Sequence, residues 1–358
     1  MNAMTPSDPR PGPLTIGLVF ETFDTYPARP GAPPDAHAEY EPLATVELLE
    51  QAVALLGHAS RRLGSPQAVL SAAAARSLGA VDAVWNIAEG YGSRNRESWA
   101  PSLLEMAGTP CLGSDGLTLS LSLDKAWANV WAAAGGVPVA PQCVIASAGE
   151  AEGADLPGPF PLFVKPRWEG TSKGIRRTSR VEDRPSLVAE VDRIVGGYAQ
   201  PALVETFLPG AEYTVSVVGH APPRALPVLQ RALETSSRIG LHALEGPGDV
   251  PPADGFAHCL PGSLDPGLEG QLQALAIRAF VHFECLDFAR VDFRLDASGA
   301  PVFLEINPLP TFAPDGSFGI LAELEGRSAA ALLAEVLASG LERLGLGAPP
   351  GISPNPPG

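Results

Sequence analysis

An α/β fold of two or three domains is predicted by three features of this sequence. Short apolar runs alternate with stretches of helical period, as in a run at 14–20, a helix over 43–56 and a second run at 80–87. Strand–helix–strand alternation of that kind builds a parallel sheet. The chain has 358 residues, 45% hydrophobic and 18% charged, which gives room for several cores and excludes global disorder. Third, residues 288–310 (FARVDFRLDASGAPVFLEINPLP) alternate polar and apolar positions about a Ser298-Gly299 turn, the signature of a β-hairpin.

The elements follow in order. Residues 14–20 (LTIGLVF) read as a buried parallel strand, and 21–40 is dense in proline and acidic residues. The helix over 43–56 places Val46, Leu49, Val53 and Leu56 on one face, and Gly57 stops it. Residues 80–87 (AVDAVWNI) form a second buried strand of an N-terminal α/β unit that ends near residue 120. Asp124 suits the N-cap of a helix that ends at Gly135-Gly136. The strand 160–166 (FPLFVKP) ends in Lys165 and runs into RWEGTSKGI, where Gly170 and Gly174 bracket Thr171 and Ser172. Amides and hydroxyls of such a loop can wrap phosphate oxygens, although no Walker A pattern occurs anywhere in the chain. Residues 202–212 (ALVETFLPGAE) lead into a strand at 213–218. A helix at 270–284 has Leu272, Leu275, Ala279 and Phe283 as its apolar stripe, and an alanine- and leucine-rich helix spans 328–344. Tails at 1–13 and 346–358, rich in proline and glycine, are expected to be disordered.

Charge narrows the partners. A net charge of −16 with no basic stripe argues against nucleic acid. Cys111, Cys143, Cys259 and Cys285 show no paired spacing, so they read as small apolar residues of a reducing cytoplasm. No signal-peptide pattern and no membrane-length apolar run is present.

The hairpin carries the chemistry. With Ser298 and Gly299 as the two turn residues, Asp292 falls opposite Glu305 and Arg290 opposite Asn307, all four on one face. Val291, Phe293, Leu295, Val302, Leu304 and Ile306 are then expected on the other. Facing carboxylates repel unless a cation separates them, and hard oxygen donors of this kind suit Mg²⁺ held together with substrate phosphates.

The order D-x-F-R…F-L-E-I-N-P resembles the metal hairpin of the ATP-grasp enzymes, and more narrowly that of the D-alanine–D-alanine ligase family. PSLLEMAGTPCLGSD, FVKPRWEGTSKG and LVETFLPGAE, in that order, resemble further segments of the same family. The resemblance implies three α/β subdomains, at 14–120, 121–208 and 209–345, with ATP held between the central and C-terminal ones. It implies that Asp292, Glu305 and Asn307 hold two Mg²⁺ ions (Mn²⁺ being able to substitute) and that Arg290 neutralises the reacting phosphoryl group or the tetrahedral intermediate. Lys125, Lys165, Glu169, Gly170, Thr171 and Ser172 would meet the phosphates, with Thr171 and Ser172 beside Arg290 in catalysis. Glu205, Phe207 and Leu208 would face adenine, and Glu212 the ribose. Glu21, Glu89, Arg238 and Ser317 are candidate substrate contacts, with Arg94, Glu97 and His242 as further ones.

The implied activity is ATP-dependent ligation of a carboxylate to an amine, joining amino acids or small peptides through an acyl phosphate. Ligases of this family are often dimers. The chain also departs from the family. Residues 224–254 lack the lid tyrosine, the segment after Asn307 differs, and Trp168, Thr171 and Lys173 replace usual residues in the glycine loop. Those departures point to a substrate pair other than two D-alanines. An ATP-grasp phosphotransferase and a non-catalytic ATP-binding regulator are the other readings.

Overall fold

The computed structural model describes residues 12–347, apart from 28–29, 80, 232, 235–236, 241–243 and 245–263. Most of both expected tails, and His242, therefore lie outside the described residues. Three sheets follow one another along the chain. The first comprises β1 (Thr15–Val19), β2 (Ala59–Gly64), β3 (Ala83–Asn86) and β4 (Cys111–Leu112), parallel throughout in the order β2-β1-β3-β4. β1 and β3 are buried on both faces, as uninterrupted apolar runs require. β2 (ASRRLG) was not evident from hydrophobicity because it is an exposed edge strand, its arginines turned to solvent. Four helices accompany this sheet: α1 (Leu43–Leu55), α2 (Pro66–Ala74), α3 (Trp99–Met106) and α4 (Gly116–Leu123). Val46, Leu49 and Val53 of α1 are fully buried, and Gly57 takes the left-handed conformation (φ 73°) that ends the helix.

The second sheet joins β5 (Gln142–Ile145), β6 (Leu162–Pro166), β7 (Arg180–Val181) and β8 (Ala202–Thr206), antiparallel in the order β5-β8-β6-β7. It is preceded by α5 (Lys125–Ala134), whose N-cap Asp124 accepts the Trp127 N–H at 3.2 Å. The helices α6 (Ala148–Gly153) and α7 (Arg184–Tyr198) flank it, and Leu187, Val191 and Ile194 of α7 bury against Val164 and Val204.

The third sheet contains β9 (Glu212–Val218), β10 (Arg224–Ala225), β11 (Leu229–Arg231), β12 (Phe288–Leu295) and β13 (Pro301–Asn307). Its path is β10-β9-β12-β13, with β11 also paired to β9. One face packs on α5 and on α8 (Pro266–His282), through Ala128, Ala132, Leu272, Leu275, Ala279 and Phe280. The last helices, α9 (Ser317–Leu324) and α10 (Ala329–Arg343), return to the first sheet. Leu332, Leu333, Leu337 and Leu341 of α10 share one core with Ile16, Leu18, Val46 and Leu49.

The hairpin differs from expectation in an informative way. Its loop has three residues, 297–299, with Gly299 left-handed (φ 85°), and Asp296 closes it by accepting the Ser298 and Ala300 N–H groups at 2.8 and 3.0 Å. The ladder near the turn is thus shifted by one, pairing Phe293 with Phe303 and Leu295 with Pro301. A bulge at Leu304 shifts it back, so Asp292 does pair with Glu305 and Arg290 with Asn307. The face assignment of Val302 and Leu304 is corrected by that bulge. Phe303 enters the core instead, against Phe283 and Phe293, while Val302 packs with Ala140, Leu208 and Leu304 on the opposite side.

Candidate active site

The face of β12 and β13 opposite α8 lines a cavity of about 550 Å³ that the second sheet bounds across the way. At its centre, Asp292 and Glu305 project side by side. Arg290 Nη2 lies 3.0 Å from Asp292 Oδ2 and 3.5 Å from Glu305 Oε1, and Lys125 Nζ lies 3.2 Å from Glu305 Oε2. Thr214 Oγ1 donates to Asp292 Oδ1. Burial alone would raise the Glu305 carboxyl, but Lys125, Arg290 and Lys165 outweigh it and hold it at about 2. Two ionised oxygens therefore persist in a partly enclosed site. Asn307 Oδ1 stands beside them and accepts the Leu309 N–H at 2.9 Å.

These donors fit a divalent cation of the Mg²⁺ type. Two carboxylates and an amide oxygen leave coordination positions for water and phosphate, as Mg²⁺ sites usually do. Among the described residues no group of three or more His, Cys, Asp or Glu is placed to enclose a metal on its own. The arrangement suits a metal shared with a ligand better than a resident structural ion.

Cations cluster where phosphates would lie. Lys165, at the end of β6, pairs with Glu205 Oε2 at 2.7 Å, and Asn129 Nδ2 donates to Glu205 Oε1 at 2.9 Å. Lys125 Nζ donates to the Glu169 carbonyl at 2.5 Å. The loop after β6 then turns tightly, with the Lys173 N–H bonded to the Gly170 carbonyl at 2.9 Å and Thr171 and Ser172 both left-handed (φ 46° and 56°). Two consecutive left-handed residues without glycine, one of them β-branched, are costly and need support from their surroundings.

At one end the lining is apolar, a slot formed by Ala140, Phe163, Phe207, Leu208 and Leu304. Arg294 lies over the Phe207 ring, 5.2 Å from its centroid, and Glu212 closes this end with its carboxyl pushed up to about 7 by burial, against the pull of Arg294. At the other end stand Tyr40, Glu41, Glu89, Thr311 and Ser317. Arg231 Nη2 donates to Ser317 Oγ at 3.2 Å. Burial, and then Glu97 and Glu39, raise the Glu89 carboxyl well above its usual range.

The fold thus brings Arg290, Asp292, Glu305 and Asn307 together with Lys125, Lys165, Glu169, Thr171 and Ser172 around one cavity. Glu205, Phe207, Leu208, Glu212, Glu89 and Ser317 line it too. Five of the described candidates do not: Gly170, Glu21, Arg238, Arg94 and Glu97. The Gly170 N–H is turned away to Glu39 Oε1 at 2.6 Å, Glu21 is buried and accepts the Gly90 N–H at 2.7 Å, and Arg238 donates to the Pro209 carbonyl at 3.2 Å. Arg94 is exposed, with its guanidinium over Trp127 at 4.8 Å. Residues not proposed for the site from the sequence also belong here: Glu39, Lys173, Arg231 and Arg294 line the cavity, and buried Arg96 binds Glu39 Oε1 at 2.7 Å. For Arg294 a signal existed, since strand alternation from Arg290 and Asp292 reaches it next.

Glu97 gives a pH prediction. Burial, opposed by Arg96, pushes its carboxyl up to about 7, from an ordinary value of 4.5. The folded state then holds a proton that the unfolded state releases, so stability falls as pH rises between those two values. Glu97→Gln, which mimics the protonated form, is expected to flatten the decline of the melting temperature between pH 5 and about 7. Parallel melting curves for the two proteins across that range would refute the shift.

Residues 134–338 match the family model described as the C-terminus of D-ala D-ala ligase. An uncharacterized protein of Sinorhizobium fredii is 33% identical over 261 residues, 71% of this chain and 73% of that one. A D-alanine–D-alanine ligase of Methylococcus capsulatus is 31% identical over 229 residues, 64% of this chain and 69% of that one. Among solved structures, the D-alanine–D-alanine ligase of Bacillus anthracis complexed with ATP superposes with a TM-score of 0.66 at 17% identity, covering 92% of this chain and 98% of that one.

Proposed function

The chain belongs to the D-alanine–D-alanine ligase family and has the ATP-grasp fold, and from that premise we propose that it is an ATP-dependent ligase that joins a carboxylate to an amine through an acyl phosphate. The observation that supports this most is the convergence of Asp292, Glu305, Asn307 and Arg290 with Lys125 and Lys165 on one cavity. We read the units as 14–120, 121–208 and 209–345, with the nucleotide between the second and third sheets.

In this reading the base enters the slot between Phe207 and Leu304, and Glu212 receives the ribose. Lys125, Lys165 and the loop at 169–173 hold the phosphates. Mg²⁺, bound by Asp292, Glu305 and Asn307, would neutralise charge on the phosphates as the substrate carboxylate attacks. Arg290, held against both carboxylates, stands ready to face the oxyanion formed when the amine displaces phosphate. Closure of the cavity around its substrates would keep water from the acyl phosphate, and proximity supplies much of the acceleration.

The substrate pair is read as different from two D-alanines. The segment after Asn307, at the substrate end, and the absence of tyrosine from 224–254 are the two departures from the family noted in the sequence. Glu41 and Glu89 line the substrate end, and an ammonium group on the substrate whose carboxylate is activated would favour their ionised forms against the burial that raises them. Unpaired Cys111, Cys143 and Cys285 suit the reducing, nucleotide-rich cytoplasm. Among the described residues, no helix is long and apolar enough to cross a membrane.

The test is phosphate release from ATP and Mg²⁺ with D- and L-amino acids, singly and in pairs, alongside product masses. Release that needs two substrates, with a condensation product one water lighter than their sum, is the expected result. A dependence on D-alanine alone, yielding its dipeptide, would overturn the altered specificity. A stable phosphorylated product would instead mark a phosphotransferase, and ATP binding without turnover a regulator.

A further inference from the structure

The glycine loop is not held by its own subdomain alone. Glu39, in the segment just before α1, reaches across to it. Its Oε1 accepts the Gly170 N–H at 2.6 Å and its Oε2 accepts Lys173 Nζ at 2.6 Å. Arg96, from the loop before α3, binds Glu39 Oε1 at 2.7 Å and donates from Nη1 to the Trp168 carbonyl at 2.9 Å. Lys173 also pairs with Glu169. Asp35 holds the far end, where its Oδ2 accepts the Gly174 N–H and the Tyr198 hydroxyl, each at 2.8 Å. These bonds bracket the two left-handed residues Thr171 and Ser172 at both sides.

The glycines fit the same account. A Cβ on Gly170 would come within 2.7 Å of Glu39 Oε1, and one on Gly174 within 2.5 Å of the Pro166 ring. Gly170 therefore leaves room for a carboxylate from another part of the chain. Of Trp168, Thr171 and Lys173, which set this loop apart from the family pattern, Lys173 takes part through its side chain, a cation buried against Glu39, while Trp168 offers only its backbone carbonyl to Arg96. Isolated from these partners, a turn carrying Thr171 and Ser172 at positive φ would relax toward commoner conformations and lose the arrangement of its amides.

We propose that Glu39 and Asp35 are positioning residues that clamp the 168–174 loop from the N-terminal unit into its phosphate-receiving shape. The proposal rests on the nucleotide reading given above. It makes the phosphate end of the cavity dependent on contact with the N-terminal unit, whereas the base end, built from β6, β8 and β13, is not.

That asymmetry supplies the test. Binding of AMP and of the non-hydrolysable ATP analogue AMP-PNP with Mg²⁺ is measured calorimetrically on the full chain, for the wild type, Glu39→Gln and Asp35→Asn. Both variants are expected to bind Mg-AMP-PNP about 10- to 100-fold more weakly, in line with the loss of charge-assisted hydrogen bonds, and AMP within about twofold of the wild type. Equal losses for AMP and AMP-PNP, or no loss for either, would overturn the clamp. Should Glu39→Gln fail to fold, Asp35→Asn, which is only partly buried, carries the same comparison. A wild type that binds neither nucleotide would instead sink the nucleotide reading itself, and the clamp with it.

Discussion

Glu305→Gln is expected to cut ATP-dependent turnover by about 100- to 1,000-fold while leaving the fold intact. The shape of the side chain is kept, so the effect isolates charge. Glu305 sits between Lys125 at 3.2 Å and Arg290 at 3.5 Å, and those cations hold it ionised. An amide there removes one of the two carboxylates proposed for Mg²⁺ and leaves two cations less compensated. Steady-state rates as a function of Mg²⁺ concentration, with the substrate pair from the phosphate-release screen, are the measurement. The midpoint of the Mg²⁺ dependence should move to higher concentration, and the rate at saturation should stay low. Unchanged turnover and an unchanged midpoint would remove Glu305 from the metal site.

The largest effect on stability is expected at Asp287. Its side chain is fully buried and forms a two-pronged pair with Arg343 of α10, at 2.7 Å to both Nε and Nη2. Oδ2 also accepts the Gly113 N–H at 2.8 Å, and Arg343 donates to the Cys111 carbonyl at 3.1 Å. One residue thus ties β4, β12 and the last helix together. Asp287→Asn would turn an amide N–H₂ toward the guanidinium, donor against donor, and leave Arg343 without its counter-charge. Removing one member of a buried pair costs about 3–5 kcal/mol. Urea unfolding followed by both circular dichroism and tryptophan fluorescence should show the midpoint falling with the slope retained. A change below about 1 kcal/mol would mean that the pair is replaced by water at little loss.

How far the sequence exposed all this depended on which kind of order was being read. Local order was plain. Alternation and turn chemistry located the hairpin, and the facing of Asp292 with Glu305 was found even though the loop is one residue longer than the turn proposed. The agreement needed a second shift at Leu304, which no pattern signalled, because Val302, Phe303 and Leu304 are all apolar and each could face the core. Order between distant segments was hidden. Glu39 lies in a proline-rich stretch with no periodicity, 131 residues before its partner Gly170, and nothing in its neighbours shows that the carboxylate is buried. Only the oddity of Lys173 within the glycine loop hinted that a counter-charge had to come from elsewhere. β2 escaped for a different reason. It is an edge strand of polar composition, stabilised by pairing with β1 rather than by burial of its side chains.

The return of α10 to the first core bears on how the chain is made. Leu14, Ile16 and Leu18 leave the ribosome well before the leucines that cover them, which belong to residues 332–341. Domains are commonly taken to fold as units, the N-terminal one first during synthesis. Here the N-terminal core stays open until α10 has been made, so a nascent chain displays its sticky strands while the two later sheets are synthesised. Such a protein should lean on holding chaperones more than its size implies, and a stop codon before Ser328 should yield aggregate rather than a smaller working enzyme.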